Sequence, residues 1–189
     1  MKNPKDHLAQ TLKKARKGKG LSLDKTADLT GVSKAMLGQI ERGESSPTVS
    51  TLWKIATGLD VSLTSFIEPK SPHSAATLVR TADDIRQHPA AEGLQIAPLY
   101  PYDAALGFEY MELTFESGYE RLSEEHAPGV IEFITIISGA MEVLSDGTWH
   151  ALSEGQSIRF AGDAPHGYRN KSQQPAKVLS VIHYPYLNP

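Results

Sequence analysis

The stretch "SKAMLGQIERG", Ser33 to Gly43, decides how the first third of the chain is read. Ser33 is a favoured helix N-cap, because its hydroxyl can accept a backbone N–H of the first turn, and Gly43 closes the segment with a residue free to take positive φ. At about 100° per residue, Met36, Leu37 and Ile40 share one side, which must be the buried one. The opposite side carries Ala35, Gly38, Gln39 and Arg42, with Lys34 on its flank. That side is nearly free of bulk at Ala35 and Gly38, so the helix is suited to lie close against a groove while Gln39 and Lys34 reach out. Gln pairs at two points with adenine, Lys donates to guanine, and Ala offers only a methyl contact, as to thymine.

Working outward, Leu8, Leu12 and Ala15 recur at helical spacing from Asp6 onward, and "GKG" at 18–20 ends that run. Ser22 is placed to cap a short helix burying Leu23 and Ala27, which "TGV" at 30–32 breaks. Downstream, "SSPTVSTLWKIATGL" offers a cap and proline start at Ser46 to Thr48, then the apolar stripe Val49, Leu52, Ile55, Ala56 and Leu59. Four or five short helices with tight turns make a small all-α domain.

The charge balance divides the chain at about the same place. Residues 1–66 hold 11 of the 19 basic and 6 of the 22 acidic residues, an excess of five positive charges; the remainder holds 8 against 16. A basic first third points to a polyanionic partner, and the acidic remainder argues against the whole chain coating nucleic acid or membrane. With no cysteine, disulfides, thiolate metal sites and cysteine catalysis are excluded. The start "MKNPKDHLAQTLKK" lacks an apolar signal core and no apolar run approaches the roughly 20 residues of a membrane span, so the expectation is a soluble, cytoplasmic protein.

The ordered run "GLSLDKTADLTGVSKAMLGQIERGESSPTVSTLWKIATGL" resembles the helix-turn-helix of the lambda-repressor-like XRE family. The resemblance implies that the third helix enters the major groove of operator DNA, that Ser33, Lys34, Ala35, Gly38, Gln39, Arg42 and Ser45 are the contacting set, and that Ser33, Arg42, Ser45 and Ser46 meet phosphates. Leu23 stands where the family often has a phosphate-contacting glutamine. The bland alternative is a solvated basic face on a protein-interaction module.

"EPKSPHSAAT", residues 68–77, reads as a Pro- and Ser-rich linker with His73 solvated. Beyond it the period becomes extended in "LQIAPLYPY", "GFEYMELTF", "IEFITII", "AMEVL", "SIRF" and "KVLSVIHYP", with "SDGT" at 145–148 as a hairpin turn. Many short strands at regular spacing make an antiparallel sandwich or barrel. The expected organisation is therefore an α + β two-domain chain, with a helical DNA-binding bundle over 1–67, a linker over 68–77 and a β domain over 78–189.

In "IEFITII", Glu132 alternates with Ile134 and Ile136 on one face of the strand, Ile131, Phe133, Thr135 and Ile137 on the other. A carboxylate among isoleucines needs a cation, a donor network or a raised pKa. A second polar cluster, "GQSIRFAGDAPHGYRN", supplies Arg159, His166, Tyr168 and Asn170. The two segments resemble the cupin signature motifs, the first through Gly118, His126, Glu132 and Gly139, the second through Gly155, His166 and Asn170. This likeness covers about residues 94–184 and implies an antiparallel β-barrel, or jelly roll. Carried over by position, it implies Glu124, His126, Glu132 and His166 as ligands of a divalent transition metal such as Zn, Mn, Fe or Ni, with Glu124 in place of a histidine. Two other readings stay open. One is a metal-free pocket in which Glu132, His126, His166, Arg159 and Tyr168 bind an organic effector, with Asn170 nearby and Tyr110 among its walls. The other has His166 satisfied in a turn, Glu124 solvated and Glu132 tied to a neighbouring donor. His7 and His88 are expected on the surface, and His150 in an alternating hairpin strand.

Together the halves resemble the XRE-cupin transcriptional regulators, and within them the sulfur-utilisation type. That resemblance implies a double-stranded operator, a small-molecule effector, namely a sulfur-containing amino acid or related metabolite, and a homodimer presenting two reading helices to half-sites about 34 Å apart or a multiple of it. The rival is a cupin isomerase or dioxygenase fused to a DNA-binding domain. No general acid or base is apparent besides the ligand set, so no catalytic residue is assigned and no enzyme is expected.

Overall fold

The computed structural model describes residues 4–68, 78–86, 93–123 and 125–185. The chain divides into two compact units, residues 1–70 and 71–189.

The first unit contains α1 (Pro4–Gly18), α2 (Leu23–Thr30), α3 (Lys34–Glu41), α4 (Val49–Gly58) and α5 (Thr64–Ile67). The expected caps form: the Ser22, Ser33 and Thr48 side chains accept from the N–H of Lys25, Met36 and Thr51. Gly31 ends α2 at φ 65°, a left-handed conformation open to glycine. Leu12, Leu37, Ile40, Ile55, Leu59 and Phe66 fill the core with Trp53, and the α4 stripe read from sequence is buried throughout. Met36 is only half-buried. Arg16 fixes α1 to α3 by a fork on Glu41, Nε to Oε1 at 2.6 Å and Nη2 to Oε2 at 2.9 Å, while its Nη1 donates to Leu21 O at 2.7 Å. His7, expected on the surface, is half-buried and ties α1 to α5 through Nε2 and Ser65 O at 2.9 Å.

The second unit opens with the short α6 (Ala82–Ile85), followed by β1 (Leu94–Asp103), β2 (Phe108–Phe115), β3 (Glu120–Ser123), β4 (Ile131–Ser138), β5 (Ala140–Ser145), β6 (Thr148–Ser153), β7 (Ser157–Ala161), β8 (His166–Arg169) and β9 (Ala176–His183). These strands pair antiparallel, in a five-stranded sheet of order β1-β2-β9-β4-β7 and a four-stranded sheet of order β3-β8-β5-β6. Strand pairing among the described residues gives two open sheets, and does not close them into one barrel. Their inner faces meet, with the Phe115 ring stacked on Tyr168 at 5.9 Å. The β5–β6 hairpin turns at Asp146 and Gly147, both at positive φ (50° and 71°), the conformation "DG" favours in a two-residue loop.

Alternation then sorts the side chains. Glu109, Met111 and Leu113 on β2, Glu132, Ile134 and Ile136 on β4, and Val178, Ser180 and Ile182 on β9 are all buried. The opposite face of β4 leaves Ile131, Phe133 and Ile137 partly exposed. No helix among the described residues is long and apolar enough to cross a membrane.

Candidate DNA-reading helix and candidate metal centre

On α3 the cap places Ser33 at the start of the helix with Lys34, Ala35 and Gln39 exposed. Lys34 reaches across to α2, its Nζ 2.8 Å from Asp24 Oδ1. Arg42 forks on Glu44, Nε to Oε1 at 2.8 Å and Nη2 to Oε2 at 2.7 Å, and this hydrogen bonding holds the Glu44 carboxyl below its ordinary pKa. Gly38 departs from the sequence reading: it is buried, not open. A Cβ there would lie 3.1 Å from Arg42 Nη1 and 3.9 Å from Leu23 Cδ1, so the Arg42 guanidinium lies over the bare backbone. Ser45 is engaged with the helix, its hydroxyl donating to Met36 Sδ at 3.6 Å.

The second constellation gathers where the two sheets face each other. His126 lies between β3 and β4, its N–H bonded to Gly162 O at 2.9 Å; Glu132 sits on β4 and His166 opens β8. One ligating atom from each falls within 4.8 Å of the others. Glu132 Oε1 is 3.0 Å from His126 Nε2 and 3.3 Å from His166 Nε2, with side-chain exposures of 0%, 6% and 0%. A Cβ at Gly162 would meet His126 Cδ2 at 3.2 Å and Glu132 Cγ at 3.3 Å, so the glycine makes room for the pair.

The three atoms fit a cation. Ala164 O can only accept, so His166 Nδ1, 2.9 Å away, donates to it, and in the neutral imidazole the lone pair then lies on Nε2. That lone pair faces the carboxylate oxygen, acceptor against acceptor, a contact that becomes favourable with a proton or metal ion between. Among the described residues, Glu132 Oε1, His126 Nε2 and His166 Nε2 are all buried without a well-directed hydrogen bond, the situation that a shared ligand resolves. The Tyr168 hydroxyl donates to the other oxygen, Oε2. Burial is the largest influence on Glu132 and opposes ionisation, but the two imidazoles when protonated, together with this hydroxyl, outweigh it and hold the carboxyl below its ordinary value. Two imidazoles and a carboxylate suit Zn, Mn, Fe or Ni.

Glu124, the remaining sequence candidate, lies outside the described residues. Three effector candidates are corrected. Arg159 is exposed on β7 opposite Phe133, on the outer face, since Ile158 and Phe160 take the inward phase. Tyr110 also lies on the outer phase of β2, its ring parallel to that of Tyr100 at 6.0 Å. Asn170 is buried but spent on the backbone, donating to Phe115 O and Gln174 O and accepting from Ser172 N–H. Tyr168 alone of the four reaches the centre.

Sequence reasoning missed two interior features. Arg121 on β3 alternates inward with Ser123, and burial, offset by Tyr119, Tyr168 and Glu132, lowers its pKa. Tyr184 donates to the buried Glu109 at 2.5 Å, and burial together with that carboxylate raises the phenol well above its ordinary value. The inward-outward phase of β2 was the available signal for Glu109, one residue from Tyr110.

The chain matches the helix-turn-helix family over residues 12–66 and the cupin domain family over residues 111–182. It is 46% identical over 185 residues to the HTH-type transcriptional regulator SutR of Escherichia coli (strain K12), covering 98% of this chain and 99% of that one. The HTH-type transcriptional regulator PuuR of the same organism is 25% identical over 174 residues, covering 90% and 91%. A crystal structure of an HTH_3 family transcriptional regulator from Vibrio cholerae superposes with a TM-score of 0.76 at 44% identity, covering 96% and 97%. All three are named as regulators of transcription, none as an enzyme.

Proposed function

The chain belongs to the family of HTH-type transcriptional regulators, with a helix-turn-helix and a cupin domain in one chain, and from that premise we propose that it is a cytoplasmic homodimeric regulator whose β unit senses a small molecule. In this reading α3 enters the major groove of double-stranded operator DNA, with Gln39, Lys34 and Ala35 facing base edges and Ser33, Arg42 and Ser45 near phosphates. A divalent transition metal is held by His126, Glu132 and His166. When bound, it supplies a Lewis-acidic centre able to take an oxygen, nitrogen or sulfur donor of the effector.

The observation that carries the sensing role is the convergence of three buried ligating atoms that have no well-directed hydrogen bond among the described residues, inside a chain whose other unit is a DNA reader. Ser123 and Ser180 add buried hydroxyls without hydrogen-bond partners among the described residues, polar atoms suited to an effector. The resemblance to sulfur-utilisation regulators makes a sulfur-containing amino acid or related metabolite the effector class. Regulation requires that this ligand bind the DNA-competent and incompetent states unequally, typically by about 1–3 kcal/mol.

Two measurements test the reading. Selection from a random duplex library by the full chain should enrich a palindromic sequence, and Gln39→Ala should relax its base preference; no enrichment sinks the DNA assignment. Elemental analysis of untagged protein should find stoichiometric metal that His126→Ala removes, and a metal-free protein of full solubility sinks the metal assignment.

A further inference from the structure

The two cations that α3 and its C-cap offer to DNA are both already engaged by exposed carboxylates of the same unit. Lys34 Nζ lies 2.8 Å from Asp24 Oδ1 and 2.9 Å from Oδ2, and the two side chains are 59% and 68% exposed. Arg42 gives two parallel N–H groups to Glu44, with side chains 58% and 55% exposed. This is the fork that an arginine otherwise offers to a phosphate. The same guanidinium covers Gly38, the position where the backbone of α3 has no side chain to hold a duplex away.

We propose that Asp24 and Glu44 are built-in competitors of DNA, affinity-setting residues whose carboxylates must give way to a base edge at Lys34 and to a phosphate at Arg42 before these two cations can contact the duplex. The inference rests on the DNA-reading role of α3. Each carboxylate acts twice: it occupies the cation in the free chain and then stays beside the DNA group, a base edge at Lys34 or a phosphate at Arg42, that displaced it. Contact by Lys34 or Arg42 therefore adds little net charge neutralisation to the complex. Withdrawal of Arg42 from Glu44 also uncovers Gly38, so the exchange at that pair opens the surface on which the duplex would sit. Exposed pairs of this kind are weak, so the exchange tunes binding and does not block it.

The test uses the full chain, a random-sequence duplex and the duplex it selects, with affinity measured across a salt series. Asp24→Asn and Glu44→Gln should each tighten binding to both duplexes by about two- to five-fold. Each should also steepen the plot of log affinity against log salt, by up to about 0.9 for every phosphate newly neutralised. Asp28→Asn is the control for net charge, because Asp28 pairs at 4.0 Å with Lys25 on α2 and touches neither cation. It should move affinity less than either variant. Equal effects of all three reduce the result to net charge and overturn the proposal. Weaker binding by Glu44→Gln also overturns it, since Glu44 would then orient Arg42 for DNA and not compete with it. If the unmodified chain enriches no duplex and binds none, the DNA reading itself has failed. When that chain binds, the variants judge this inference alone.

Discussion

The Tyr168 hydroxyl, on the four-stranded sheet, donates a hydrogen bond to Glu132 Oε2 on the five-stranded sheet. Both side chains are buried, and the bond leaves Oε1 facing the imidazoles of His126 and His166. Tyr168 therefore orients the carboxylate as well as joining the sheets. Tyr168→Phe should cost about 1–3 kcal/mol in urea unfolding, because a buried carboxylate oxygen loses its donor. It should also weaken metal binding about ten-fold or more, as loss of a partner to a ligand typically does. Unchanged metal affinity in a folded variant would separate Tyr168 from the centre.

Occupancy of the centre should stabilise the β unit. A ligand at a hundred times its dissociation constant adds about 2.7 kcal/mol to the folded state. Chelation of the protein as purified should therefore lower its melting temperature, and zinc or manganese should restore it. His166→Ala should abolish the restoration. A melting curve indifferent to both chelator and metal would argue for an effector pocket without metal.

The legibility of the sequence followed the physical signals it contains. The reader unit was clear because Ser22, Ser33 and Thr48 cap their helices and Leu37, Ile40, Leu52 and Ile55 recur at helical spacing. Gly38 was placed on the right helix but misjudged, since rotation about an axis does not show that Arg42 folds back over it. His126, Glu132 and His166, which the resemblance to the cupin motifs put together, do converge in space, while Arg159 and Tyr110 fall to strand phase: one residue along each strand separates the inner face from the outer. Asn170 was a polar residue at the expected place, doing backbone work. Arg121 went unseen because β3 is four residues long and reads "ERLS", with no apolar alternation to mark its inward phase.

Gly58 and Gly18 should respond in opposite ways to the same added methyl. A Cβ at Gly58 would fall 2.6 Å from Leu29 O and 2.8 Å from Thr30 Cγ2, because α4 meets α2 there by its backbone. Gly58→Ala should destabilise the first unit by about 1–3 kcal/mol, since carbonyl and helix must shift to admit it. A Cβ at Gly18, the last residue of α1, would have nothing within 4 Å. Gly18→Ala should be neutral or gain a few tenths of a kcal/mol through the unfolded chain. Circular dichroism melts of the two variants compare them directly.

Tyr184 predicts an alkaline limit to stability. Burial first, then the charge of Glu109 and the hydrogen bond to it, raise this phenol well above its ordinary value of 10.0. The folded state thus holds a proton that the unfolded chain gives up near its ordinary value. The resulting stability is fully present below about pH 10 and is lost as pH rises beyond it toward the folded-state value. Tyr184→Phe should lower stability at neutral pH by about 1–3 kcal/mol through the lost bond to buried Glu109. It should also flatten the decline above pH 10, because phenylalanine has no proton to release. Tyr168 is raised in the same direction and retains its share of the slope in that variant. Urea unfolding at a series of pH values from neutral to above 10 measures both effects, and parallel declines in the two proteins would remove Tyr184 from the alkaline transition.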